Sequence, residues 1–182
     1  MSQSVALLLP EVTALCLCIG AARTDLATRR IPNPLTYAGM LLGVLEHAFL
    51  ALVSGRSVLH AVGAASGGGL VCLVIFGTLA AVGSMGLGDV KLMTALGALF
   101  SLPFALWAAA YVLVAGGLVA IGYALGRGRL LESLRNIARG TITLGDRSSA
   151  SSVARELPYG VAILVGTIWA VLTRHLPALQ LQ

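Results

Sequence analysis

The chain has 182 residues, of which 58% are hydrophobic and 10% charged, with a net charge of +5. Water-soluble domains carry roughly 25% charged and 45–50% apolar residues, so too few polar side chains are present to cover a soluble surface. Composition thus excludes a soluble globular domain and points to a single integral membrane domain over 1–182.

A spanning helix needs ~20 apolar residues to cross ~30 Å of hydrocarbon. The uncharged stretches predict six helices near 5–22, 34–53, 61–82, 89–101, 103–125 and 157–173, an all-α polytopic bundle. Pro103 splits what is otherwise one long run, since a helix interior does not tolerate proline. The first basic residue is Arg23, after the first apolar run rather than before it. That order does not fit a cleaved signal peptide, so the first segment is expected to stay as a helix.

Six spans put both termini on one side and the odd-numbered connections on the other. Arg23, Arg29, Arg30, Lys91, Arg127, Arg129, Arg135, Arg139, Arg147 and Arg155 flank the odd connections, against Arg56 and Arg174 elsewhere. Basic residues favour the cytoplasmic side, so the odd connections are expected there and both termini on the opposite face. Contact with anionic lipid headgroups accounts for the net charge, and no nucleic-acid partner is required. The connection 127–156 opens with Leu130, Leu131, Leu134, Ile137 and Ala138 at helical spacing among basic residues. That pattern predicts an amphipathic helix in the cytoplasmic interface. Gly39-x-x-x-Gly43, Gly63-x-x-x-Gly67 and Gly122-x-x-x-Gly126 read as close helix packing.

Cys16, Cys18 and Cys72 lie in apolar spans without a C-x-x-C pair. They read as packing residues, and neither metal nor cofactor is expected. Of the seven acidic residues, Glu132, Asp146 and Glu156 fall in the polar connection. Glu11, Asp25, Glu46 and Asp89 lie in or against apolar spans, where ionisable groups are costly and mark function by default. Asp25 is expected just after the first helix and Asp89 at the start of the fourth, both on the cytoplasmic side. Glu11 precedes Asp25 by fourteen residues, or ~21 Å of helix, so it belongs near the opposite face. Glu46 belongs there too, in an outer polar contact with His47 and not in catalysis.

Two carboxylates at one depth cannot both ionise easily and share a proton. One can then take a proton from water while the other donates to a carbonyl, which is general acid–base hydrolysis without metal, serine or thiol. Gly83-Ser84-Met85-Gly86-Leu87-Gly88 ahead of Asp89 lets the backbone bend and substrate approach. A helix start at Asp89 would favour its anion, which would let Asp25 hold the shared proton, but the residues leave open which acid plays which part. Lys91, two positions on, is expected to face away and reach the headgroups. Pro32, Pro34 and Pro158 mark helix starts, and Pro158-Tyr159-Gly160 is expected to border the cleft.

Three stretches together resemble the type IV prepilin peptidases, a family of GxGD membrane aspartic peptidases. Thr24-Asp25 with Arg29-Arg30-Ile31-Pro32-Asn33 resembles the first aspartate motif, and Gly86-Leu87-Gly88-Asp89-Val90-Lys91 the second, G-x-G-D-x-K. Leu157-Pro158-Tyr159-Gly160-Val161-Ala162 is similar to the segment opening the last helix in the Tad (Flp) pilus branch. The resemblance implies catalysis by Asp25 and Asp89 in the bacterial inner membrane. The implied reaction is removal of a short basic leader from pilin precursors, after a glycine and before their hydrophobic helix. Larger members add a cytoplasmic region with paired C-x-x-C motifs and methyltransferase activity, and proteolysis without methylation is the expectation here. Two other classes compete: a small transporter or ion relay, and a non-enzymatic subunit of a secretion apparatus.

Overall fold

The structure, a computed structural model, describes residues 3–126 and 159–176. Among these residues all regular structure is α-helical. Six helices follow in order: α1 Gln3–Thr28, α2 Asn33–Val53, α3 Val58–Ala81, α4 Leu87–Phe100, α5 Phe104–Gly126 and α6 Tyr159–His175. The all-α polytopic bundle expected from composition is the fold. Three helices are long and apolar enough to cross a membrane: α2, α3 and α5 over Phe104–Gly122. The amphipathic connection 127–156 and Pro158 lie outside the described residues.

Helix α4 is the centre of the bundle. It packs mainly against α2 and α3, with further contacts to α1 and α5. Val90, Leu92, Met93, Ala95, Leu96, Ala98, Leu99 and Phe100 are all buried, so the helix is apolar on every side, as a fully enclosed helix must be. Its 14 residues span only ~21 Å at the standard rise. Pro103 separates α4 from α5 as expected, because α4 stops at Phe100 and α5 starts at Phe104.

Backbone-close packing joins α3 to α4 through Gly68 and Gly97, where a Cβ on either residue would collide with the carbonyl oxygen of the other. Gly43 lets α2 approach α4, since a Cβ there would sit 2.7 Å from the Leu99 nitrogen. Among the glycine pairs expected to pack, Gly39 and Gly43 do so. A Cβ at Gly63 or Gly122 would meet nothing within 4 Å. Small residues pack closely only where a neighbour faces them, and spacing alone does not say which ones do.

Helix α1 buries Ala14, Leu17, Cys18, Ala21 and Ala22, an i, i+3, i+4, i+7, i+8 stripe facing the bundle. Helix α6 lies against α1 and α5. It buries Gly160, Ile163, Gly166, Thr167 and Ala170. The Cys18 thiol approaches the Thr167 hydroxyl at 3.6 Å across the α1–α6 seam. Extending the α1 stripe in both directions reaches Glu11 at one end and Asp25 at the other, so both acids point inward from opposite ends of one helix.

Candidate active site

Asp25 does not follow the first helix, as the end of the apolar run suggested; it lies inside the last turn of α1. The helix continues past Ala22 because its polar residues satisfy themselves locally. Thr24 Oγ1 donates to the Ala21 carbonyl at 2.9 Å, and Thr28 Oγ1 to the Thr24 carbonyl at 2.9 Å. Arg29 then ends the helix in the left-handed region at φ 53°, and its N–H closes on the Asp25 carbonyl at 2.8 Å. A left-handed residue just past the last turn is a common helix stop. It turns the chain sharply into Ile31-Pro32-Asn33, where Pro32 caps α2 and Pro34 occupies its first turn.

Asp89 lies in the first turn of α4, buried, with Gly86 as the residue preceding the helix. Its Oδ2 accepts the Gly86 N–H at 3.1 Å, the reach-back half of a capping box. Gly86 has φ −81° and ψ 153°, a conformation open to any residue. Space is tight there: a Cβ would come 3.2 Å from Asp89 Oδ2, which would have to give by a few tenths of an ångström. Gly83, at φ +84°, is where the loop itself requires a residue without a side chain.

Asp25 has its own donor, supplied by α6. The Gly160 N–H donates to Asp25 Oδ2 at 2.9 Å. Gly160 is the second residue of α6, so its amide is one of the free donors at the helix start. A Cβ at Gly160 would lie 3.0 Å from both Asp25 Cβ and Oδ2 and 3.3 Å from Ala22 Cα. The expectation that a helix start would favour the anion of Asp89 over that of Asp25 therefore loses its basis. Each acid has a backbone N–H from a helix start, Asp89 from its own and Asp25 from a neighbour's.

Asp25 and Asp89 are close enough for the charge of one to act on the other, and Tyr159 is close enough to Asp89 for the same. The two acids and the start of α6 thus occupy one end of the bundle, reached from three helices distant in sequence. Gly88 faces Ile31, where a Cβ would sit 3.4 Å from that of Ile31. Lys91 corrects an expectation. It does not turn away to headgroups: its Nζ donates to Asn33 Oδ1 at 2.9 Å and lies 5.2 Å from the centre of the Tyr37 ring. Ile31 and Asn33 therefore tie the α1–α2 junction to the start of α4. Both residues stand in the motif that follows Asp25, and only the three-dimensional neighbours of Gly88 and Lys91 reveal their role.

The remaining buried acids lie at the other end. Glu11 is 2% exposed and pairs with Arg174 at 3.1 Å and His175 at 2.7 Å. Arg174 also covers the Phe104 ring at 4.4 Å. Glu46 makes no contact with His47 of the kind expected. It accepts from Thr13 Oγ1 at 2.6 Å, while His47 Nδ1 meets the Gly43 carbonyl at 2.9 Å.

Two carboxylates at one end of the bundle, each held by an amide and neither ion-paired in the described contacts, suit proton transfer to and from a water and a carbonyl. No curated protein and no solved structure gives a significant match to the chain. The model of the type IV leader peptidase family matches residues 12–123, over half of the chain and inclusive of both acids. On that match the chain is a member of the type IV leader peptidase family.

Proposed function

We propose that this protein is a membrane-embedded aspartic endopeptidase in which Asp25 and Asp89 hydrolyse the bond joining a short basic leader to a pilin precursor. The observation that carries the reading is the meeting, at one end of the bundle, of an acid from the last turn of α1 and an acid from the first turn of α4. In the mechanism the ionised member of the pair draws a proton from water as it attacks the scissile carbonyl. The protonated member donates to the carbonyl oxygen, and the resulting gem-diol collapses as the leaving amine takes a proton back. Sharing of one proton between the acids makes any pH dependence a property of the pair. Backbone donors from Gly86 and Gly160 hold the two carboxylates in position while protons move.

The distribution of basic residues supports a cytoplasmic position for this end of the bundle in the inner membrane, with both termini across the bilayer. The Leu157–Ala162 stretch supports a precursor of the Flp or Tad type. With three cysteines and no C-x-x-C pair, the proposal is confined to proteolysis. An ion relay would need carboxylates free to exchange protons across the depth of the bundle. Glu11, already paired with Arg174 and His175, does not suit that role.

The test is co-expression of a candidate pilin precursor with the wild type, Asp25→Asn or Asp89→Asn. Each amide replacement keeps size but removes acid–base function, and should slow processing by at least ~100-fold while insertion and abundance stay normal. Normal processing by either variant would refute the assignment.

A further inference from the structure

At the end of the bundle opposite the two acids, a cavity of about 330 Å³ opens between the α2–α3 turn, the α4–α5 turn and α6. Arg56, Arg174, His47 and His60 line it, and among the described residues no acid does. Of the twelve basic residues, only Arg56 and Arg174 lie away from the odd-numbered connections, and the fold brings both to this one cavity. Two of the three histidines join them. The charge of Arg174 is offset by Glu11 at 3.1 Å. Arg56 has no carboxylate partner among the described residues, so it is the surplus cation.

The start of α3 adds backbone donors. Ser57 caps this helix: its Oγ accepts the His60 N–H at 3.4 Å, and its carbonyl accepts the Ala61 N–H at 3.1 Å. The Val58 and Leu59 amides come before these and have no carbonyl to reach within the helix. A helix start of this kind attracts anions. His47 Nδ1 donates to the Gly43 carbonyl at 2.9 Å, which leaves Nε2 as the ring atom that can serve a ligand. Behind the polar mouth the wall is apolar, with Ala61, Ala64, Leu99 and Phe100. Outside it, Leu52, Val53 and Leu59 flank the Arg56 turn and are exposed, Leu59 by 84%. Such a rim suits contact with lipid rather than water.

We propose that this cavity binds the headgroup of an anionic phospholipid, with the phosphate between Arg56, His60 and the start of α3 and the glycerol end on the apolar wall. The cavity reaches the ~300 Å³ at which small-molecule sites begin, more than a bare phosphate ion needs. Phosphate oxygens take charge-assisted bonds from arginine and from helix-start amides. The acyl chains leave past Leu52 and Leu59 into the bilayer. A zwitterionic headgroup also carries a cation, and with no acid on the wall that cation finds no partner. The proposal does not depend on the peptidase reading, because neither catalytic acid lies at this end.

The test is native mass spectrometry of the full chain in detergent, which counts lipids on the intact protein during titration with phosphatidylglycerol or phosphatidylcholine. The wild type should hold one phosphatidylglycerol at least ~10-fold more tightly than phosphatidylcholine. Arg56→Gln removes an exposed charge that the fold does not use, and should weaken phosphatidylglycerol by ~10-fold or more. Arg23→Gln removes the same charge at the end that carries the acids, and should stay within about twofold of the wild type. Inorganic phosphate in excess should not displace the lipid. Equal binding of the two lipids, or equal losses in Arg23→Gln and Arg56→Gln, would overturn the proposal. Displacement by inorganic phosphate would also overturn it, by making a free anion the occupant. If Arg56→Gln does not accumulate, a photoreactive phosphatidylglycerol with its diazirine near the glycerol should label the wild type within residues 57–64 or 99–102. Labelling confined to other segments likewise overturns it.

Discussion

Replacing Gly160 by alanine separates catalysis from folding. The new Cβ would stand 3.0 Å from Asp25 Cβ and Oδ2 and 3.3 Å from Ala22 Cα, a few tenths of an ångström inside comfortable contact. Either α6 shifts outward or the Asp25 carboxylate rotates away, and both lengthen the 2.9 Å bond from the Gly160 N–H. A hydrogen bond to a charged group contributes ~1.5–3 kcal/mol, which is ~10- to 150-fold in rate if the bond persists in the transition state. Overpacking costs ~1–3 kcal/mol of stability, and the better helix propensity of alanine returns up to ~1 kcal/mol. The expected variant is folded, at most ~3 kcal/mol less stable, and slower by one to two orders of magnitude in kcat. Purified protein would be assayed for precursor cleavage and thermal unfolding in the same detergent. Wild-type kcat in Gly160→Ala would refute the role given to the α6 amide, as would a rate loss matched by loss of fold.

Gly97→Leu drives a side chain into the Gly68 carbonyl of α3; it should prevent accumulation of folded protein, and unaltered abundance and melting would contradict the packing described. Lys91→Met and Asn33→Ala each remove the 2.9 Å bond between the two turns, at ~1 kcal/mol, so each should slow cleavage several-fold and the double variant no further; independent effects in the cleavage assay would show that the two residues do not act together. Glu11→Gln lies at the far end of α1 and should lower stability by ~1–3 kcal/mol, below the ~3–5 kcal/mol of a fully enclosed pair because the Arg174 side chain is 26% exposed. Its kcat should stay near that of the wild type, and a large kcat loss without a melting shift would bring Glu11 into the chemistry.

The six helices of the described residues, the break at Pro103 and the placing of Asp25 and Asp89 at one end of the bundle were legible from apolar length and chain parity. The end of α1 was not, because apolar length marks where lipid contact stops and not where hydrogen bonding stops. Thr24 and Thr28 carry the helix six residues past Ala22 by bonding to the preceding turn. Even so, Asp25 falls on the Ala14–Leu17–Cys18–Ala21–Ala22 stripe, so its inward direction was present in the periodicity. Lys91 was misjudged because spacing on one helix cannot reveal an acceptor on another, here Asn33 across 58 residues of chain. The same limit applies to Gly160, whose partner Asp25 is 135 residues away. Which glycines pack and which face open space is likewise a property of neighbours that local sequence does not contain.

On this mechanism the two acids act as one unit. A cycle of Asp25→Asn, Asp89→Asn and the double variant, each assayed as purified protein for cleavage of one precursor, measures this directly. Groups that work as a unit give non-additive losses, so the double variant should be no slower than either single one, with all three near the background rate. Retention of a tenth of wild-type activity by either single variant, or losses that multiply in the double one, would contradict the account.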